Sequence, residues 1–185
     1  SKAFMKQFCS RHDIPTAPYL VTQDIAEAEA YIDNRGKTVV VKADGLAGGK
    51  GAIVTSSAAE AKEAARSMLV EGQFGEAGRT IIIEDRLEGY ELSVHVLCDG
   101  ERYVVLPVSR DHKRVGDGDA GPNTGGMGAF APLSVDPDLM ARIEKYTLQP
   151  TMAGMAAEGA PYKGVLYAGV MVSPDGTPYL LEHNV

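Results

Sequence analysis

Two stretches rich in glycine and lysine hold most of the residues that could do chemistry. The longer, Ser109 to Ala131, reads SRDHKRVGDGDAGPNTGGMGAFA. Lys113 and Arg114 supply cationic donors, and Asp111 and His112 supply titratable groups. Gly125, Gly126 and Gly128, beside Asn123, Thr124 and Met127, let backbone N–H groups approach an anion with no Cβ in the way. With almost nothing apolar to pack, the stretch is expected to be an irregular loop. Loops longer than about 12 to 15 residues in a compact domain are usually functional or disordered. Composition alone leaves two readings, an anion site and a Gly/Asp surface loop.

The shorter stretch follows an apolar run. Lys42 ends VVVKA, and Gly45, Gly48, Gly49, Lys50 and Gly51 form a loop able to fold over polyphosphate oxygens. It is not a Walker A loop: GLAGGKG lacks the G-x-x-x-x-G-K-[ST] spacing, and no Ser or Thr follows Lys50. Taken alone, it also fits a plain hairpin turn with a solvated lysine. Glu182 and Asn184 stand two apart near a strand end, so both side chains project from one face. Two such oxygens suit Mg²⁺ or Mn²⁺ shared with substrate phosphates, and they equally suit a solvated strand end. Glu84, Asp85, Leu87 and Glu91 bracket a short connector whose backbone could bond adenine, with Glu91 accepting from ribose hydroxyls; an acidic connector exposed to water is the alternative. His12, His95 and His183 have no metal-type spacing and read as structural or surface residues.

The elements that must position these groups are legible from periodicity. Ser1 to His12 reads as an amphipathic helix with Ser1 as N-cap and Pro15 as terminator. Tyr19-Leu20-Val21 is a strand. A helix follows from Asp24 to Asn34, with Asp24 and Glu27 at capping-box spacing and Gly36 as stop. Thr38 to Ala43 reads as a strand covered on both faces, and Ala52 to Thr55 as its successor. Ser57 and Glu60 open a helix running to Val70. Thr80 to Asp85, Tyr90 to Cys98 and Glu101 to Val108 read as antiparallel strands, the last two joined by a type I′ turn at Asp99-Gly100. Asp136 and Pro137 open a helix whose buried face is Leu139, Ile143 and Tyr146, bent or restarted at Pro150 and packed through Met152 and Met155. Gly164 to Val172 and Tyr179 to His183 flank a Pro174-Asp175-Gly176 turn.

The chain has 185 residues, 44% of them hydrophobic and 23% charged, enough for a real core. With 25 acidic against 18 basic residues its net charge is -7, which argues against a bulk nucleic-acid or membrane-surface binder, since those need a broad basic face. Any anion must be held locally. Cys9 and Cys98 have no metal-type spacing and read as reduced and buried in a cytoplasmic protein. There is no 18-residue apolar run, signal-peptide core or lipidation signal. The opening inside a helical pattern and the close directly off a strand suggest a piece of a larger chain.

Taken in order, SKAFMK, VVVKADGLAGGKG, IIIEDRLEGYELS, SRDHKRVGDGDAGPNTGGMGA and YLLEHN resemble the ATP-grasp region of the phosphoribosylamine-glycine ligase family, across essentially the whole chain. DHKR followed by GPNTGGMGA is the most specific of these motifs. The resemblance implies an α+β ATP-grasp fold: a leading helix and connector at 1–18, a small α+β lid at 19–88, and an antiparallel-sheet core at 89–185, incomplete at its C-terminal end. It implies that ATP, glycine and 5-phosphoribosylamine give glycinamide ribonucleotide, ADP and phosphate through glycyl phosphate. Lys2, Lys42 and the Gly48–Gly51 turn with Lys50 are implied at the ATP phosphates, Glu84, Asp85 and Leu87 at adenine, Glu91 at ribose, and Glu182 and Asn184 at Mg²⁺ or Mn²⁺. Asp111, Lys113, Arg114, Asn123, Thr124, Gly125, Gly126 and Met127 are implied between the ATP phosphates and the ribose phosphate. Lys42, Asp111, Lys113 and Asn123 are the implied catalytic set, and the lid shields the acyl phosphate from water.

The family continues past Asn184 with an arginine-bearing segment, and the other domains of the enzyme are its implied partners, so this stretch alone is expected to bind nucleotide without synthetase activity. Two other readings stay open: a different ATP-grasp carboxylate-amine ligase with other acceptor contacts, and a non-catalytic nucleotide-binding module. Intact Lys42, Glu182 and Asn184 argue against the second.

Overall fold

The computed structural model describes residues 1–47, 51–118 and 120–184. They divide into two compact units. One comprises Ser1–Lys6 with Ala17–Arg86, the other Gln7–Thr16 with Leu87–Val185. The first helix, α1 (Lys2–Arg11), thus contributes its first turn to one unit and its last residues to the other. Ser1 caps it, its Oγ accepting the Phe4 N–H at 3.0 Å. The helix stops earlier than Pro15 would enforce: Asp13 turns left-handed (φ 52°) and the Ile14 N–H reaches back to the Cys9 carbonyl, closing the C-terminus in Schellman fashion.

Among the described residues, the first unit joins the first turn of α1 to a four-stranded sheet, two further α-helices and a 3-10 turn at Gly75–Gly78. Its elements are β1 (Tyr19–Thr22), α2 (Ile25–Arg35), β2 (Val39–Ala43), β3 (Ala52–Val54), α3 (Ala58–Leu69) and β4 (Ile81–Asp85), with sheet order β1-β4-β2-β3 and every pair antiparallel. Alternation along the strands gives the sheet two different faces. Val39, Val41, Ala43, Ile81 and Ile83 join Ala28 and Ile32 of α2 and Ala61, Ala64, Ala65 and Met68 of α3 in one buried cluster. Val40, Lys42, Ile82 and Glu84 occupy the other face. The helix starts differ in detail from the capping boxes expected. Asp24 caps α2 through the Ala26 N–H, but the Glu27 carboxylate takes the Thr22 hydroxyl instead of reaching back to the cap. Ser57 Oγ accepts the Glu60 N–H, while the Glu60 carboxylate accepts from the N–H and hydroxyl of Ser56.

The second unit is built on β5 (Tyr90–Asp99), β6 (Tyr103–Val105), β11 (Lys163–Val172) and β12 (Pro178–Asn184), ordered β12-β11-β5-β6. β6 is shorter than the Glu101–Val108 strand expected. Pro107 has no N–H to donate, so pairing lapses after Leu106 and resumes only at the Ser93–Ser109 bridge. The β5–β6 turn is not type I′ either, since Gly100 carries a positive φ (+100°) and Asp99 does not. The Asp99 carboxylate instead accepts the Glu101 and Arg102 N–H groups.

The stretch read as an irregular loop is two small antiparallel pairs, one inside the other. β7 (Arg110–Asp111) pairs with β10 (Ala129–Phe130), and between them β8 (Arg114–Gly116) pairs with β9 (Ala120–Asn123). Its backbone groups satisfy one another, so it needs little apolar content to be ordered. Helix α4 (Pro137–Ile143) starts as expected, with Asp136 Oδ1 accepting the Asp138 and Leu139 N–H groups. A π-helical turn over Glu144–Leu148 then leads into α5 (Gln149–Ala157). That turn shifts the helical phase, burying Thr147 and Leu148 and leaving Tyr146, expected on the buried face, 41% exposed. Neither cysteine is in a disulfide; Cys9 is buried and Cys98, expected buried, is half-buried. Among the described residues no helix is long and apolar enough to cross a membrane.

Candidate functional site

In the first unit the face turned away from α2 and α3 carries a buried ionic cluster. Lys42 stands on β2 and Glu84 on β4, and their register (Lys42 opposite Ile82, Val40 opposite Glu84) makes them diagonal neighbours on one face. Lys42 Nζ lies 2.5 Å from Glu84 Oε1, and Lys6 Nζ from the first turns of α1 pairs with Glu84 Oε2. The Lys6 and Glu84 side chains are 1% and 2% exposed and that of Lys42 is 13% exposed. Burial alone drives the Glu84 carboxyl upward, but the Lys42 and Lys6 ammoniums outweigh it and hold the carboxyl below its ordinary value. Glu84, read from sequence as part of a solvated connector or an adenine-holding turn, is therefore an interior anion. The backbone beside it is engaged too: the Asp85 N–H donates to Pro18 and the Arg86 N–H to Thr38. The Asp85 carboxylate belongs to the opposite face, taken by Arg35 of α2 (Nε to Oδ1, 2.7 Å) and by Lys37 (2.9 Å). Leu87, half-buried, opens the second unit.

The start of the glycine-rich loop is clasped by the first turn of α1. Lys2 Nζ donates to the Ala43 and Gly45 carbonyls at 3.0 and 3.2 Å. Asp44 Oδ1 accepts the Ala3 N–H at 2.7 Å and the Ser1 hydroxyl at 2.9 Å, so it caps the helix from the loop side. The Gly51 carbonyl closes the base of the loop on the Ala43 N–H. Gly48, Gly49 and Lys50 lie outside the described residues.

In the second unit, register again sorts side chains by face. Leu92, Val94 and Val96 of β5 and Leu166, Ala168 and Val170 of β11 are buried apolar residues on one side. On the other side Glu91, Ser93 and His95 of β5 align with Met171, Gly169 and Tyr167 of β11, and Gly169 and Tyr167 align with Glu182 and Asn184 of β12. The i, i+2 placement of Glu182 and Asn184 on one face is thus present in the register, with Glu182 half-buried and Asn184 exposed. Lys113 reaches this face, donating to Glu91 Oε2 at 3.0 Å. Burial works against its charge, yet Glu91 above all, with Tyr167 and Glu182, keeps the ammonium above its ordinary value. Glu91 and Lys113, separately expected at ribose and at phosphate, are partners of each other. His183 points the other way: its Nδ1 lies 3.0 Å from the Tyr167 carbonyl and its Nε2 3.3 Å from Thr151 Oγ1, and burial lowers its pKa.

The nested pairs hold the remaining sequence-predicted residues. Asp111 is in β7 and Arg114 in β8, where it pairs with Asn123, whose side chain lies outside the described residues. Thr124 Oγ1 donates to the Lys113 carbonyl at 2.8 Å and accepts the Gly126 N–H at 3.1 Å, setting the turn that carries Gly125, Gly126 and Met127 at the surface. The Met127 N–H donates to the His112 carbonyl at 2.7 Å. Sequence reasoning missed Lys6, Asp44 and Tyr167. Lys6 had a signal: it sits among Met5, Phe8 and Cys9, all buried, where a lysine requires an anion.

All 185 residues match the profile of the phosphoribosylglycinamide synthetase ATP-grasp (A) domain. The chain belongs to that family. This ATP-grasp domain is 52% identical over its whole length to a phosphoribosylamine–glycine ligase of Vibrio vulnificus strain YJ016 and 50% identical to one from Ralstonia nicotianae, spanning 43% and 44% of their lengths. Among solved structures it superposes on a phosphoribosylamine–glycine ligase of Thermotoga maritima with a TM-score of 0.93 at 38% identity, covering 100% of this chain and 47% of that one. A D-alanyl-alanine synthetase A of Vibrio cholerae, 16% identical with a TM-score of 0.73 over 98% of this chain and 53% of its own, shares the fold.

Among the described residues of the ATP-grasp domain, no three His, Cys, Asp or Glu side chains gather to hold a metal ion by themselves. Glu182 and Asn184 offer two oxygens on one face, a donor set that fits Mg²⁺ or Mn²⁺ when phosphate oxygens and water complete the shell. A separate groove of about 400 Å³ in the second unit, lined by Tyr90, Asp136, Leu139, Arg142, Val172 and Ser173 among others, includes none of the sequence-predicted site residues.

Proposed function

We propose that this domain is the nucleotide-handling part of an ATP-dependent ligase that joins glycine to 5-phosphoribosylamine in purine biosynthesis. The observation that carries this reading is the polar sheet face bearing Glu91, Lys113, Glu182 and Asn184, in a chain whose whole length aligns with ligases of that name. The chain spans about 43% of the length of those relatives, and the remaining domains of the same enzyme are its inferred partners.

In this reading a glycine carboxylate oxygen attacks the γ-phosphorus of ATP, the bond to the bridging oxygen breaks, and ADP leaves. The amine nitrogen of phosphoribosylamine then attacks the acyl carbon of glycyl phosphate. Inorganic phosphate departs and the amine loses a proton. Such transfers depend on in-line positioning and neutralised charge, and no enzyme nucleophile is required. Lys2 and Lys42, with Gly48, Gly49, Lys50 and Gly51, hold the ATP phosphates; the connector that follows Glu84 borders adenine at Leu87; Glu91 takes the ribose hydroxyls. Asp111, Lys113, Arg114, Asn123, Thr124 and the Gly125–Met127 turn orient the transferring phosphoryl group and the ribose phosphate. Glu182 and Asn184 would hold Mg²⁺ or Mn²⁺, which would supply further neutralisation of phosphate charge. The setting we infer is cytoplasmic, with small-molecule substrates and no nucleic-acid partner, in keeping with the net charge of -7.

The test is ADP release by the full-length enzyme. Release requiring glycine and phosphoribosylamine together is the expected result. Equal release with D-alanine or another amino acid in place of glycine assigns the chain to a different ligase.

A further inference from the structure

The Lys6–Glu84–Lys42 cluster has an arrangement that packing does not require. A single carboxylate would satisfy a single lysine, and each further buried charge adds its own desolvation cost. Here the two oxygens of Glu84 are divided: Oε2 goes to Lys6 and Oε1 to Lys42. The negative charge that faces Lys42 is therefore shared with a second ammonium. The three side chains also differ in access, with Lys6 and Glu84 sealed and Lys42 alone at the margin. Lys6 is further held over the Tyr19 ring, 5.6 Å from its centroid.

We propose that Lys6 is a positioning residue that draws off the charge of Glu84, so that the Lys42 ammonium stays available to a phosphate anion. The proposal rests on the nucleotide reading above and adds to it a residue that touches no ligand. With Lys6 absent, Glu84 and Lys42 form a closed pair of no net charge, and an anion approaching Lys42 loses the surplus positive charge while the Glu84 carboxylate stays within Coulomb range in a poorly screened interior. With Lys6 present, that repulsion is cancelled from behind. The ligand class is a polyphosphate or nucleoside polyphosphate, because the interaction concerns charge and not the base.

Binding of ATP, adenosine and inorganic pyrophosphate to the protein and to Lys6→Met, Lys6→Arg and the double variant Lys6→Met/Glu84→Gln separates the possibilities. Lys6→Met is expected to lose about tenfold or more in affinity for ATP and pyrophosphate, with adenosine unchanged within about twofold. Lys6→Arg keeps the charge and should keep phosphate affinity. The double variant removes the carboxylate as well as its counter-charge, so the ratio of ATP to adenosine affinity should recover. A purely structural Lys6 predicts equal losses for ATP and adenosine and no recovery in the double variant, and that outcome overturns the proposal. So does wild-type phosphate affinity in Lys6→Met. If the unmutated protein binds pyrophosphate and not adenosine, the adenine assignment fails while the charge argument stands. If it binds none of the three, the nucleotide reading falls and the proposal with it.

Discussion

At Gly89 the backbone leaves no room for a side chain. Its φ is +148°, and a Cβ there would sit 2.0 Å from the Val172 carbonyl oxygen and 2.8 Å from the Val172 carbonyl carbon. Gly89→Ala is therefore expected to lower stability by about 2–4 kcal/mol, through a strained φ and overpacking against a fixed backbone. Gly125, with nothing within 4 Å of its Cβ position and no positive φ, should tolerate alanine within about 0.5 kcal/mol. Urea midpoints at unchanged m-value read both. In the sequence the two glycines look alike, and the glycines flagged as special were those of the loops. Only the β5–β11 register, which sets Val172 opposite Tyr90, singles out Gly89. Glu84 makes the same point for charge. Its type and place at a strand end were visible, but its neighbours Lys6 and Lys42 lie 78 and 42 positions away in the chain, and that pairing is a product of tertiary structure.

Helices and strands were legible where a local signal sufficed: the Asp24, Ser57 and Asp136 caps, the Gly36 stop, and the β-branched run of β2 each act within one turn or one strand. They were misjudged where a partner decided the outcome. The 110–130 segment gained its four short strands from pairing with itself, and Tyr146 was turned outward by a π turn that no spacing of apolar residues announces. Ties between elements were illegible for the same reason, as Glu158 shows. At the end of α5 it accepts from Arg11 of α1 (Nε to Oε1, 2.9 Å) and lies 2.8 Å from His12 Nε2. Hydrogen bonds from Arg11 and then His12 lower its carboxyl from 4.5 to about 2. A depressed folded pKa gives stability that is present above the ordinary carboxylate value and lost as pH falls through the folded one. Glu158→Gln should thus lower the urea midpoint at pH 6, by a modest amount since the pair is solvent-exposed. The gap from the unmutated protein should close between pH 4.5 and about 2. A gap that stays constant over that range would show that charge is not what joins the two helix ends.

On the scale of the whole molecule, an acidic chain of net charge -7 binds anions only through local cation sets, and these are distributed over both units. Lys42, clasped loop and Glu84 belong to the first; Lys113, Glu91 and Glu182 belong to the second. Each unit has its own apolar core, so heating can resolve two transitions even though the chain is short. A ligand that binds only folded protein stabilises by RT ln(1 + [L]/Kd), about 2.7 kcal/mol at a hundredfold excess over Kd. At roughly 2–4 °C per kcal/mol for a protein of this size, MgATP at that excess should raise melting by about 5–10 °C. The informative quantity is which transition moves. If residues of both units hold one nucleotide, as the proposed function requires, calorimetry shows both transitions rising together or merging into one. If only the transition assigned by Ile83→Ala to the first unit rises, then Lys113, Glu182 and Asn184 make no contact with the nucleotide, and the metal and phosphate roles given to them are wrong.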